Sequence, residues 1–130
     1  MGEDFRRRFG TPWIDSFPVG LAGTLRFLKD AAALCGVESE AAVQAEAAHQ
    51  EEMLSRFADL AGTAVRFDRL HPLLREDATA ARVIEEITEA LDLRITEAGT
   101  WLPAPYPAPV GTAGVRRMLY RWRKAIRTGR

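Results

Sequence analysis

The hexapeptide pattern Pro-Val-Gly-x-Ala-Gly occurs twice, as Pro18-Val19-Gly20-Leu21-Ala22-Gly23 and as Pro109-Val110-Gly111-Thr112-Ala113-Gly114. Each copy follows a stretch rich in prolines and aromatics and precedes an amphipathic run. Proline fixes φ in the extended region and glycine permits positive φ, so each copy predicts a turn from extended chain into a helix. Two accounts fit the repetition: one common strand-to-helix turn used twice, or two related α/β subdomains that each end this way.

The apolar periods between and after these turns set the remaining elements. Leu21, Leu25, Leu28, Ala32 and Cys35 fall on one helical stripe, widened by Phe27, Ala31 and Leu34, and Gly36 stands where that helix should stop. Ser39 is placed to cap a second helix with Val43, Ala47, Leu54 and Phe57 inward, Met53 and Leu60 beside them, and Gly62 as terminator. Thr63 to Phe67 reads as a short strand, and His71-Pro72 breaks regular structure. Asp77 is placed to cap a third helix through Ala80, Val83, Ile84, Ile87 and Leu91, after which the period falls to two over Leu93 to Glu97. A helix feeding a strand is half of an α/β unit. Trp101 to Pro109 holds four prolines and is expected to be a loop or an edge crossing. The last helix spans about Thr112 to Arg127, with Val115, Met118, Leu119, Trp122 and Ile126 inward. The expected fold class is therefore α/β and mainly helical, with four helices and a few short strands in a single domain over 1–130.

Composition narrows the function classes. With 130 residues, 47% of them apolar, the chain can bury one core, and 18 basic against 18 acidic residues leave no net charge, so the molecule as a whole is not a polycation for nucleic acid. Cys35 is the sole cysteine, which excludes an internal disulfide and any cysteine-built metal site from this chain alone, and fits a reducing compartment. No apolar run reaches the roughly 18 residues needed to span a bilayer, and Met1 to Arg8 leads into no signal-peptide core, so a soluble cytoplasmic protein is expected.

Five features bear on chemistry. Gly20, Gly23, Gly111 and Gly114 sit where free helix-start amides can meet an anion, but lack the spacing of a dinucleotide fingerprint or a phosphate loop, and read as structural turns. Glu46, His49 and Glu52 share a helical face as in carboxylate-bridged metal bundles, but one copy of the motif falls short of such a site, and an exposed face is the simpler reading. His71 has no nucleophile at a recognisable spacing, and Cys35 reads as a small buried hydrophobe. No catalytic or metal-ligating residue is assigned. The clearest electrostatic feature is C-terminal: Arg116, Arg117, Arg121, Arg123, Lys124, Arg127 and Arg130 follow Glu97 with no acidic residue among them. Arg116, Arg117, Arg121, Arg123 and Lys124 are the candidate docking residues, for nucleic acid, with Tyr120 and Trp122 available to stack, or for an acidic protein.

The first half of the chain also resembles a known family. Arg8-Phe9-Gly10-Thr11-Pro12-Trp13-Ile14, Phe17-Pro18-Val19-Gly20, Thr24-x-x-Phe27-Leu28, Gly36-Val37 and Arg56-Phe57-Ala58-Asp59-Leu60-Ala61-Gly62 are similar to a segment of the nitrogenase component 1 superfamily. That superfamily includes nitrogenase molybdenum–iron subunits and the dark-operative protochlorophyllide and chlorophyllide reductases. The resemblance covers about 1–67; beyond it, 68–130 supplies a helix–strand unit, a proline-rich loop and a basic helix, loosely like a piece of a Rossmann-like subdomain. It implies a fragment, a degenerate paralogue or a minimal derivative of an oxidoreductase subunit, inert alone. A longer partner subunit would supply any iron–sulfur cluster, since the family's cluster cysteines have no match here. Pro18, Val19, Gly20 and Thr24 match the turn that faces the inter-subdomain region in the family, and are the cofactor-side candidates by position only.

Overall fold

The computed structural model describes residues 17–67, 78–105 and 108–129. The expectations for Phe9 to Ser16, His71, Pro72, Asp77 and Arg130 lie outside these residues. Among the described residues the chain runs α1 (Gly20–Cys35), α2 (Glu40–Ser55), a 3-10 turn (Ala58–Leu60), β1 (Ala64–Phe67), α3 (Ala78–Leu91), β2 (Arg94–Ile95), β3 (Thr100–Leu102) and α4 (Gly111–Thr128). The protein is thus α/β and mainly helical, its three strands forming one parallel sheet in the order β2-β1-β3.

The sheet has an unusual connection. Parallel neighbours need a crossover of a dozen or more residues, which α3 supplies between β1 and β2. β2 and β3, however, are separated only by residues 96–99 although both run parallel to β1. The short link suffices because β2 and β3 are not neighbours. The chain keeps its direction and steps over β1: β2 pairs with Ala64 and Val65, and β3 takes over from Val65 to Phe67 on the other edge. The step occurs at Gly99, where a β-carbon would lie 2.5 Å from both the Val65 nitrogen and carbonyl carbon. It is fixed by Thr96 N–H donating to the Val65 carbonyl (2.9 Å) and Arg66 Nη1 donating to the Glu97 carbonyl (2.9 Å).

The two Pro-Val-Gly turns meet each other. Val19 and Val110 form an antiparallel bridge in which Gly20 N–H donates to the Pro109 carbonyl (3.1 Å) and Gly111 N–H to the Pro18 carbonyl (2.7 Å). Both valines are extended, and both glycines have positive φ, +75° and +69°. That conformation is open to glycine at little steric cost, so each chain turns at once from the bridge into its helix.

The core lies between α4, the sheet and the ends of the other helices. Trp122, Phe57, Ile87, Leu119, Val65 and Val115 are its largest fully buried side chains. Trp122 and Phe67 hold their ring centroids 5.0 Å apart, and the indole N–H donates to the Pro103 carbonyl at 3.0 Å, so the buried donor is satisfied.

Several boundaries differ from the sequence reading. α2 ends at Ser55 rather than near Gly62; the chain turns at Arg56 and Phe57 and tightens into the 3-10 turn, which still buries Phe57 and Leu60. Ser39 makes no side-chain cap bond. The strand expected over Leu93 to Glu97 shrinks to Arg94–Ile95 because the chain must leave that edge to cross β1. Trp101 and Leu102, expected in a loop, belong to β3; the donor-less prolines begin only after the last paired residue. On α1 only Gly20, Leu21 and Thr24 are buried. Leu25, Leu28 and Ala32 are half-buried and Cys35 is exposed, contrary to its reading as a buried hydrophobe, because the helix runs on past the core that its first turns enter.

Candidate functional site

α4 carries the densest functional chemistry, and the fold divides its cations into two sets. Arg123 is committed internally. Its side chain is 19% exposed, Nη1 donates to the Arg56 carbonyl (3.0 Å) and lies 3.6 Å from the Asp59 carboxylate, and its guanidinium carbon sits 4.5 Å from the Phe57 ring centre and 5.2 Å from that of Tyr120. Arg127 joins the same carboxylate at 3.4 Å. Together they fasten α4 to the 3-10 turn. Arg116 is half-buried.

Arg117, Arg121 and Lys124 are different. They are exposed, and among the described residues none makes an ion pair. Their spacing of i, i+4 and i+7 places them in one row along the helix, about 10 Å from end to end. The helix presents this row because Val115, Met118, Leu119 and Trp122 hold the opposite side in the core.

Beside the row runs a groove of about 360 Å³ between α4 and the proline-rich segment that follows β3. Gly114 lets that segment come close, since a β-carbon there would stand 3.1 Å from the Pro109 carbonyl carbon. The sequence reading placed the cations but missed the groove. Its signal was the recurrence of proline, which fixes φ and removes an N–H donor at each such position; which surface that segment faces is a tertiary matter.

The remaining candidates are engaged elsewhere. At the first turn, the Glu86 carboxylate of α3 accepts from the Leu21 and Ala22 amides of α1 at 2.7 and 3.1 Å, so these helix-start amides are satisfied by the chain's own carboxylate. Nothing in the sequence pointed to Glu86, which is 65 positions away from Leu21. Pro18 accepts from Gly111, Val19 and Gly20 build the bridge, and buried Thr24 Oγ1 donates to the Gly20 carbonyl at 2.6 Å. At the second turn, Thr112 Oγ1 donates to Glu46 Oε1 (2.6 Å) and accepts from Gln50 Nε2 (3.2 Å), which also reaches the Leu21 carbonyl (3.1 Å). Glu46 therefore faces Thr112, Glu52 pairs with Arg56 at 3.2 Å, and His49 is exposed, so these three do not converge. Among the described residues no group of three or more metal-binding side chains gathers. An iron–sulfur cluster requires several thiolates, and the lone, exposed Cys35 at the end of α1 does not fit one.

No family model, curated protein or solved structure matches the chain. No helix among the described residues is long and apolar enough to cross a membrane.

Proposed function

We propose that this protein is a non-catalytic docking module that binds an acidic protein segment through the exposed face of α4. The observation that carries this reading is the row Arg117, Arg121 and Lys124, unpaired among the described residues and held on a helix whose other side is locked into the core. Carboxylates at helical or extended spacing can meet such a row with charge-assisted hydrogen bonds. Nucleic acid is the weaker partner because, of the two aromatic groups on α4, only Tyr120 is exposed, at 47%. Trp122 is fully buried, and Arg123 lies against Tyr120.

The test is fluorescence anisotropy with a labelled glutamate-rich peptide and, in parallel, labelled single-stranded DNA of equal charge. The peptide should bind more tightly, its affinity should fall as salt rises, and Arg117→Ser/Arg121→Ser/Lys124→Ser should lower it at least tenfold. Tighter DNA binding, or a triple variant that binds as the native chain does, contradicts the reading.

A second reading keeps the resemblance to nitrogenase component 1: a subunit inert alone, docking on a longer cluster-bearing oxidoreductase chain. What supports it is the form of the Phe17-to-Gly20 bend, a crossover from extended chain into a helix, beside a parallel sheet. It requires that a complex isolated from cells contain iron and acid-labile sulfide; a partner without either removes it.

A further inference from the structure

The row of cations and the groove share two residues. Arg117 and Arg121 line the groove as well as belonging to the exposed row, while Met118, 8% exposed, and the buried Trp122 beneath it close its base, and Pro103, Ala104 and Ala108 give it accessible apolar surface. Pro105 contributes to the opposite wall, and Val110, 47% exposed, stands at the edge. The walls mix polar and apolar surface, with the charge confined to α4. Prolines donate nothing, the indole N–H is already given to the Pro103 carbonyl, and among the described residues the charged groups lining the groove are the guanidiniums of Arg117 and Arg121. An all-carboxylate partner would satisfy the rim and leave the apolar surface of Pro103, Ala104 and Ala108 uncovered.

We infer that the segment recognised by α4 is acidic and apolar together: one apolar side chain of leucine or phenylalanine size seated between α4 and the proline wall, flanked by carboxylates that meet Arg117 and Arg121. The inference rests on the docking reading above and specifies its partner. A volume of about 360 Å³ accommodates one such side chain with its backbone, at the lower end of the range for ligand pockets. The occupant is a segment of another protein; a free amphiphilic acid or a second copy of this chain is a competing outcome.

The experiment compares two labelled twelve-residue peptides of equal charge, one of alternating glutamate and serine, the other with its two central serines replaced by leucine and phenylalanine. The full chain should bind the second about tenfold more tightly, the gain expected from burying one large apolar side chain. Ala108→Leu, which fills the groove, and Val110→Ser, which removes an exposed apolar edge, should each bring the second peptide to the affinity of the first. Far-UV circular dichroism of both variants checks that the helices are kept, and Val110→Ser, altered at an exposed side chain, serves if Ala108→Leu fails to fold. Equal affinities for the two peptides in the native chain overturn the inference and leave the docking reading standing. Loss of binding by both peptides overturns both. Displacement of the apolar peptide by decanoate at equal concentration, or by dimerisation of the chain in sedimentation, also overturns it, since the groove then belongs to another occupant.

Discussion

Gly99 and Gly62 are both glycines at turns, but for opposite reasons. Gly99 has no space: a β-carbon would meet the Val65 backbone at 2.5 Å, and neither partner is a flexible side chain that can move away. Gly62 has open space but a φ of +79°. Gly99→Ala should therefore cost about 3 kcal/mol or more, at the upper end for overpacking, and Gly62→Ala only about 1 kcal/mol, the penalty of a left-handed L-residue. Urea midpoints of the two variants check the order, and a Gly99→Ala midpoint equal to that of Gly62→Ala would refute the crossing. Glu86 makes a comparable test of a distant contact. Its carboxylate holds two amides at the start of α1, so Glu86→Ala should lose about 1–2 kcal/mol by the same measurement, whereas Glu85→Ala, at the neighbouring exposed position, should lose little. The sequence revealed neither residue's role, because spacing reports local periodicity and both roles depend on a partner many positions away.

At the level of elements, strongly periodic segments were legible and weakly periodic ones were not. α3 buries Ala80, Val83, Ile87 and Leu91 as their stripe requires, and α4 buries Val115, Met118, Leu119 and Trp122. α2 is rich in alanine and glutamate and has little apolar contrast between its faces, so its end at Ser55 was set by tertiary packing of Phe57 and Leu60. The stripe of α1 was read correctly as helical, but Cys35 at its end was wrongly read as buried, because period reveals a face and not what lies opposite it. The repeated turn was the most informative motif, yet that its two copies bond to each other is a contact no one-dimensional pattern contains. Within α4, the arginines separate by what they touch. Arg123→Ala should cost about 1–2 kcal/mol, since it removes a carbonyl bond, an ion pair and aromatic contact from a largely buried side chain. Arg127→Ala, at an exposed pair, should cost under about 0.5 kcal/mol. Thermal unfolding of the two variants distinguishes them, and equal losses would contradict the anchoring role given to Arg123.

For the whole molecule, zero net charge conceals segregation. The seven basic residues after Glu97 meet no acid in that part of the chain, and Asp59 neutralises the ones nearest the 3-10 turn while Arg117, Arg121 and Lys124 are left on the surface. The sequence made the basic helix visible; only the fold sorted its cations into a set bound internally and a set left exposed, and buried Trp122 while leaving Tyr120 half exposed. The most direct test of the docking face is a nitrogen-15 chemical-shift map of the full chain titrated with the acidic peptide carrying the central leucine and phenylalanine. The account predicts that the largest shifts fall on amides 108–124 and that the Arg117, Arg121 and Lys124 side chains are the ones protected from exchange. Shifts concentrated on α1 or α2, with α4 unmoved, would contradict it.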